Sequence, residues 1–140
     1  MHASLKTPWH LWAVGLTTLA WNGFRGWSYI MARTADIEAT DPPNEALVYL
    51  SEFPLWADSA WALGVWGAVL GSILLLFRSR WAAPAFLASL VGLAGITVYQ
   101  RLLSDLPEGM SGVGFLLLTW ATTLFGLWYA RTMRSKGVLR

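Results

Sequence analysis

Cysteine is absent, which excludes disulfides and thiolate metal sites in any compartment. Histidine occurs twice, as His2 and His10, with no carboxylate at ligand spacing, so the sequence predicts neither a metal site nor a cofactor. Charge is scarce: Asp, Glu, Lys and Arg make up 13% of the chain, against about 25% in typical soluble domains. No serine stands in a nucleophile-elbow pattern, and no glycine-rich loop joins a strand to a helix. Without a catalytic constellation, the chain reads as a non-enzyme. The net charge of +2 is small, and the basic residues do not gather into one binding face, which argues against nucleic acid.

What the chain does have is long apolar runs. Ala60–Phe77 and Trp81–Gln100 carry no charge and meet at Arg78-Ser79-Arg80. Each is long enough to cross the roughly 30 Å core of a bilayer, which takes about 20 helical residues. Lipid cannot satisfy an open backbone N–H or C=O, so both runs must be helices, and the short join makes them an antiparallel hairpin. A third run, Gly109–Ala130, is also free of charge. The run from Trp9 to Phe24 extends through Arg25 to Met31. Trp21, Asn22, Phe24 and Arg25 occupy the place where a small-residue cleavage site would follow, so it reads as an uncleaved first helix rather than a signal peptide.

The sequence therefore predicts an all-α integral membrane four-helix bundle, one domain over residues 1–140. Its spans are expected at about 9–31, 56–77, 81–102 and 112–130. Lys6, Arg78, Arg80, Arg131, Arg134, Lys136 and Arg140 fall on one side, while Arg25, Arg33 and Arg101 lie towards the other. Basic residues in short loops stay cytoplasmic, so both termini are expected inside a bacterial inner membrane. All eight acids (Asp36, Glu38, Asp41, Glu45, Glu52, Asp58, Asp105, Glu108) fall outside. Between the first two spans, Asp41 is expected to cap a helix with Pro42 at its first position. Leu47, Leu50 and Phe53 would form its apolar side, lying on the outer membrane surface until Pro54 ends it.

Small residues mark the faces where membrane helices touch. They are Ala60, Gly64, Gly67, Ala68 and Gly71 on the second span, Ala85, Ala88, Ser89, Gly92 and Gly95 on the third, and Thr119, Thr122, Thr123 and Gly126 on the fourth. Such stripes serve either seams within the chain or a homodimer face. The expected partners are the lipid bilayer, a second copy, or a larger membrane complex.

On the first span, Gly15, Thr18, Asn22, Arg25 and Tyr29 are spaced 3, 4, 3 and 4 and form one stripe. Arg25 lies about 24 Å up the helix from Trp9, a little below the outer interface. Two readings follow. Arg25 snorkels to outer headgroups while Asn22 bonds a neighbouring helix. Alternatively Asn22, Arg25, Asp58, Gln100 and Arg101 converge in an outward-facing polar pocket, with Arg25 paired to Asp58. Seven of the ten tryptophans suit the interfaces. Trp21, Trp66 and Trp120 lie deeper and are candidates to line a cavity for a ring-shaped ligand.

Glu52-Phe53-Pro54-Leu55-Trp56, Ala60-Trp61-Ala62-Leu63-Gly64-Val65-Trp66-Gly67, the run Leu74–Trp81 with Pro84, and Trp21-Asn22-Gly23 carry a resemblance that extends over about half the chain. In these the sequence resembles a group of short four-span bacterial inner-membrane proteins, most of them without an assigned activity. Some carry a sugar-transporter label, and the resemblance implies that activity here as an expectation only. In size the chain is also similar to small multidrug-resistance transporters, but its first span lacks their proton-coupling glutamate. Two functions are thus expected: a non-enzymatic protein, structural or accessory to a membrane complex, or a homodimeric small-solute carrier.

Overall fold

An arginine with a left-handed backbone turns the central hairpin. Helix α3 (Leu55–Leu76) ends at Phe77, and Arg78 follows with φ 56°. The Arg78 N–H reaches the Leu75 carbonyl (3.0 Å) and the Ser79 N–H reaches that of Leu74 (2.8 Å). This pair of bonds is a Schellman cap, and it normally places glycine where Arg78 stands. Helix α4 (Ala82–Val98) then runs back, its last turn widening into a π-helical turn at Tyr99–Leu103. The hairpin predicted at residues 78–80 is present.

The computed structural model describes residues 8–36, 39, 42, 44–107 and 112–139. Among them the chain is all-helical: α1 (Trp9–Thr34), α2 (Glu45–Ser51), α3, α4 with its π-turn, and α5 (Val113–Ser135). Three helical segments are long and apolar enough to cross a membrane: Leu55–Leu76, Ala82–Leu103 and Val113–Ser135. Helix α1 is the longest, at 26 residues, but is not in that set. Thr17, Thr18, Asn22, Arg25 and Ser28 dilute its apolar character. It also continues one turn past the expected end at Met31, where the Thr34 hydroxyl donates to the Ile30 carbonyl (2.8 Å).

Helix α2 corrects its expectation. The expected cap, Asp41, lies outside the described residues, as do His2, Lys6, Glu38, Glu108 and Arg140. The helix instead starts at Asn44, whose side-chain oxygen accepts from the Ala46 and Leu47 N–H groups (2.9 and 3.3 Å). It is only seven residues long, and its apolar side faces the bundle. Tyr49 is buried, meets the Ser104 hydroxyl at 2.6 Å and packs on Phe53 and Tyr99. Burial pushes the Tyr49 hydroxyl above its ordinary pKa, the Ser104 hydrogen bond opposing the shift, so it stays a neutral partner near pH 7.

The small residues foreseen as seams are used inside the chain. Helices α3 and α4 form the tightest pair. Gly64 lies against the Gly92–Leu93 backbone, Gly67 against Ser89, and Gly71 against the Phe86 ring. The Ser89 hydroxyl crosses to the Gly64 carbonyl. On α5, Gly126 meets the other edge of Phe86. Thr119, Thr122 and Thr123 bond back to carbonyls of their own helix, so these hydroxyls stitch no neighbour.

Two apolar clusters hold the ends. At the hairpin end, Leu11, Leu75, Phe86, Tyr129 and Met133 pack with Val138 and Leu139. The chain returns there because Gly137 (φ 75°) closes α5 in a second Schellman cap, the Val138 N–H reaching the Met133 carbonyl at 2.9 Å. The Arg78 Nε then donates to the Val138 carbonyl (3.2 Å). At the α2 end, Ala57, Leu93 and Ile96 pack with Phe53, Trp61 and Tyr99. Outward faces are mainly apolar: Leu16, Leu70, Leu87, Val91, Leu117 and Leu124 are all exposed.

Candidate functional site

Helices α1 and α3 run antiparallel, and contacts between them follow one another along the α1 stripe. Gly15 lies against Leu76, Gly26 against Trp66, and Tyr29 against Trp61 with ring centroids 4.5 Å apart. Between them Asn22 is buried, its amide nitrogen donating to the Ser72 hydroxyl (3.1 Å) and the Ala68 carbonyl (3.4 Å). The Ser72 hydroxyl donates to the same carbonyl (3.0 Å). These bonds turn the Asn22 oxygen towards Arg25, whose Nη1 donates to it at 3.2 Å. Two members of the stripe, Asn22 and Arg25, thus join a hydrogen-bonded relay that ends on α3.

The Arg25 side chain is enclosed by its neighbours. It is 8% exposed and faces a cavity of about 470 Å³. Centring a cationic side chain in a bilayer costs about 2.5–3.5 kcal/mol on insertion scales, and Asn22 is its one hydrogen-bond acceptor shown here. Helix α1 contributes Phe24, Arg25, Ser28 and Tyr29 to the wall, and α3 contributes Trp61 and Val65. From α4 and its π-turn come Leu93, Ile96, Thr97, Gln100 and Arg101, and from α5 Phe115, Leu116 and Thr119. Leu50 of α2 and Leu106 bound it at the α2 end. Arg101 is steadied by a bond from Nη2 to the Gly112 carbonyl (3.2 Å). Among the described residues, the wall holds two arginines and no carboxylate.

Three of the five residues expected in a polar pocket, Arg25, Gln100 and Arg101, therefore share one cavity, and Asn22 supports it from behind. Asp58 does not join them. Its Oδ2 pairs with Arg33 Nη2 at 3.3 Å, about two turns beyond Arg25 on α1, so the expected Arg25–Asp58 pair is replaced by Arg33–Asp58. Extension of α1 to Thr34 creates this partner, since the expected helix ended before Arg33. Arg33→Gln and Asp58→Asn should accordingly couple in a double-mutant cycle by roughly 0.2–1 kcal/mol, as a part-exposed pair does. Arg25→Gln and Asp58→Asn should add within about 0.5 kcal/mol. Thermal unfolding in detergent reads both cycles, and coupling of the second pair would contradict the geometry.

The deep tryptophans also fall elsewhere. Trp21 stacks beside Phe24 and Phe115, Trp66 packs on Tyr29 and is part-exposed, and Trp120 donates its indole N–H to the Thr97 hydroxyl (3.2 Å). None belongs to the cavity wall; Trp61, read from sequence as interfacial, is the tryptophan that does. Phe115 and Tyr29 were missed as lining residues. Tyr29 carried a signal, as the last member of the α1 stripe, whereas Phe115 had none in an unbroken apolar run. At the hairpin end, His10 Nδ1 bonds the Tyr129 hydroxyl and ties α1 to α5, a structural use for a histidine that the sequence left isolated. No family model, curated protein or solved structure matches this chain.

Proposed function

We propose that this chain is a small non-enzymatic protein of a bacterial inner membrane that holds a small guest molecule between its helices. It crosses the membrane four times, α1 included, with both termini cytoplasmic. The observation that carries this reading is the cavity of about 470 Å³ with buried Arg25 in its wall, within the 300–1,000 Å³ range of ligand sites. Support for the membrane comes from three long apolar helices and their exposed aliphatic outer faces, which in water would be an aggregation hazard. Support for the orientation comes from Arg78, Arg80, Arg131, Arg134 and Lys136 at the hairpin end. The cavity then opens towards the periplasmic half, as a small-solute carrier or binding protein requires.

The accessory role in a larger complex keeps one observation in its favour. Helix α1 exposes the polar Thr17 and, about 15 Å further along, the large Trp27, and a partner helix would cover such surfaces. A homodimeric carrier would need a face other than the α3–α4 stripes, which are occupied within the chain. Native mass measurement with crosslinking in mild detergent separates the two: a specific dimer favours the carrier, and co-purification with another complex the accessory role.

Reporter fusions test the topology. Fusions at Ser79 and after Arg140 should read cytoplasmic, and those at Thr40 and Glu108 periplasmic. A cytoplasmic signal at Thr40 would remove α1 from the membrane and, with it, the lipid-embedded cavity.

A further inference from the structure

We infer that the guest is an anionic amphiphile, its carboxylate or phosphate head held by Arg25 and Arg101 and its apolar tail leaving the cavity between α1 and α5. This rests on the guest-binding function proposed above and names the chemistry of the guest.

The head group follows from charge. Arg25 is more than nine-tenths buried, faces the cavity and has a neutral acceptor, the Asn22 oxygen, as its hydrogen-bond partner. A guanidinium presents five N–H donors, so that single bond leaves most of its capacity for a guest. Asp58, the acid nearest in expectation, is engaged by Arg33, and no carboxylate lies in the described wall. Arg101 adds a second cation to the same wall, held in place through the Gly112 carbonyl. An anion supplies what this site lacks, because charge-assisted bonds from guanidinium to carboxylate or phosphate are short, strong and bidentate. A neutral sugar would leave the buried Arg25 charge uncompensated.

The tail follows from shape. Leu93, Ile96 and Leu116 make the inner wall apolar, and a bare inorganic anion would leave most of the volume empty. Helices α1 and α5 are bound at the hairpin end by His10 and Tyr129, and further along by the Trp21–Phe115 ring contact. At that contact, Phe115 and the neighbouring Phe24 belong to the wall and yet are 59% and 53% exposed. A tail leaving the cavity past these two rings would meet acyl chains.

Native mass spectrometry of the protein released from a neutral detergent tests this. The probes are dioleoyl phosphatidylglycerol, phosphatidylcholine with the same chains, and inorganic phosphate. One phosphatidylglycerol per chain should be retained about tenfold over phosphatidylcholine, and Arg25→Gln should abolish that preference. Arg33→Gln, which removes a cation outside the wall, should leave it intact. Should Arg25→Gln fail to fold, Leu116→Trp fills the cavity with both arginines kept and must reduce retention equally. Equal retention of the two lipids overturns the anionic head while leaving guest binding in place. Displacement of phosphatidylglycerol by equimolar inorganic phosphate overturns the tail. Retention of neither lipid overturns this inference and the guest-binding function together.

Discussion

Phe86→Ala is expected to cost about 3–5 kcal/mol, the usual loss for emptying a buried aromatic site. Phe86 is 0% exposed and sits where α3, α4 and α5 meet, its ring wedged between Gly71 and Gly126. A β-carbon added at either glycine would come within 3.0 Å or less of that ring, so the three residues form one interlocked unit. In lipid the loss is one of packing contact rather than of hydrophobic transfer, because the environment outside is as apolar as the core. The backbone glycines cannot collapse into the void, having no side chains to move. Thermal unfolding in detergent should show a large fall for Phe86→Ala and a partial recovery for Phe86→Leu. Leu87→Ala, one residue along but 54% exposed on the outward face, is the control and should change little. A similar fall in both variants would show that loss of side-chain contact anywhere on α4, not the wedge, controls stability here.

The hairpin and its seam were legible in the sequence for a physical reason. Membrane helices leave uninterrupted apolar runs, and close backbone approach demands small residues at helical spacing. Gly64, Gly67 and Gly71 on α3 and Ser89 and Gly92 on α4 carry that signature plainly, and all five lie in the α3–α4 contact. The α1 stripe was legible likewise, because Asn22 and Arg25 are costly among apolar neighbours and must find partners. Which partners they find was not legible. Asp58 could serve Arg25 or Arg33 as long as the end of α1 was uncertain, and one further helical turn decides it. Helix ends fray and are set by caps, and α1 has no side-chain cap at its start to fix its register. Phe115 and Val138 were invisible for another reason: one apolar residue in a run looks like any other until a neighbouring helix meets it, and one in a basic tail looks solvated until a Schellman cap turns it inward.

Gly92→Leu should have the second large effect, and a series of glycines separates its cause from simple crowding. A β-carbon at Gly92 would strike the Gly64 nitrogen and approach the Ala60 carbonyl oxygen to 2.5 Å. Both are backbone atoms of α3, so no rotamer change relieves the clash and the helices must part. Separation breaks the Ser89–Gly64 hydrogen bond and opens the Gly67–Ser89 contact as well. Overpacking in a tight core typically costs about 1–3 kcal/mol, and a backbone collision belongs at or above the top of that range. At Gly95 the β-carbon would meet only the Ala60 side chain, at 3.0 Å, so Gly95→Ala should be mild. At Gly23 nothing lies within 4 Å, and Gly23→Ala should raise stability by about 0.5–1 kcal/mol through helix propensity alone. The expected order in detergent unfolding is Gly23→Ala above wild type, Gly95→Ala slightly below, and Gly92→Leu far below. If Gly92→Leu unfolds no earlier than Gly95→Ala, the α3–α4 backbones are not in contact at Gly64, and the seam on which the cavity wall depends is placed wrongly.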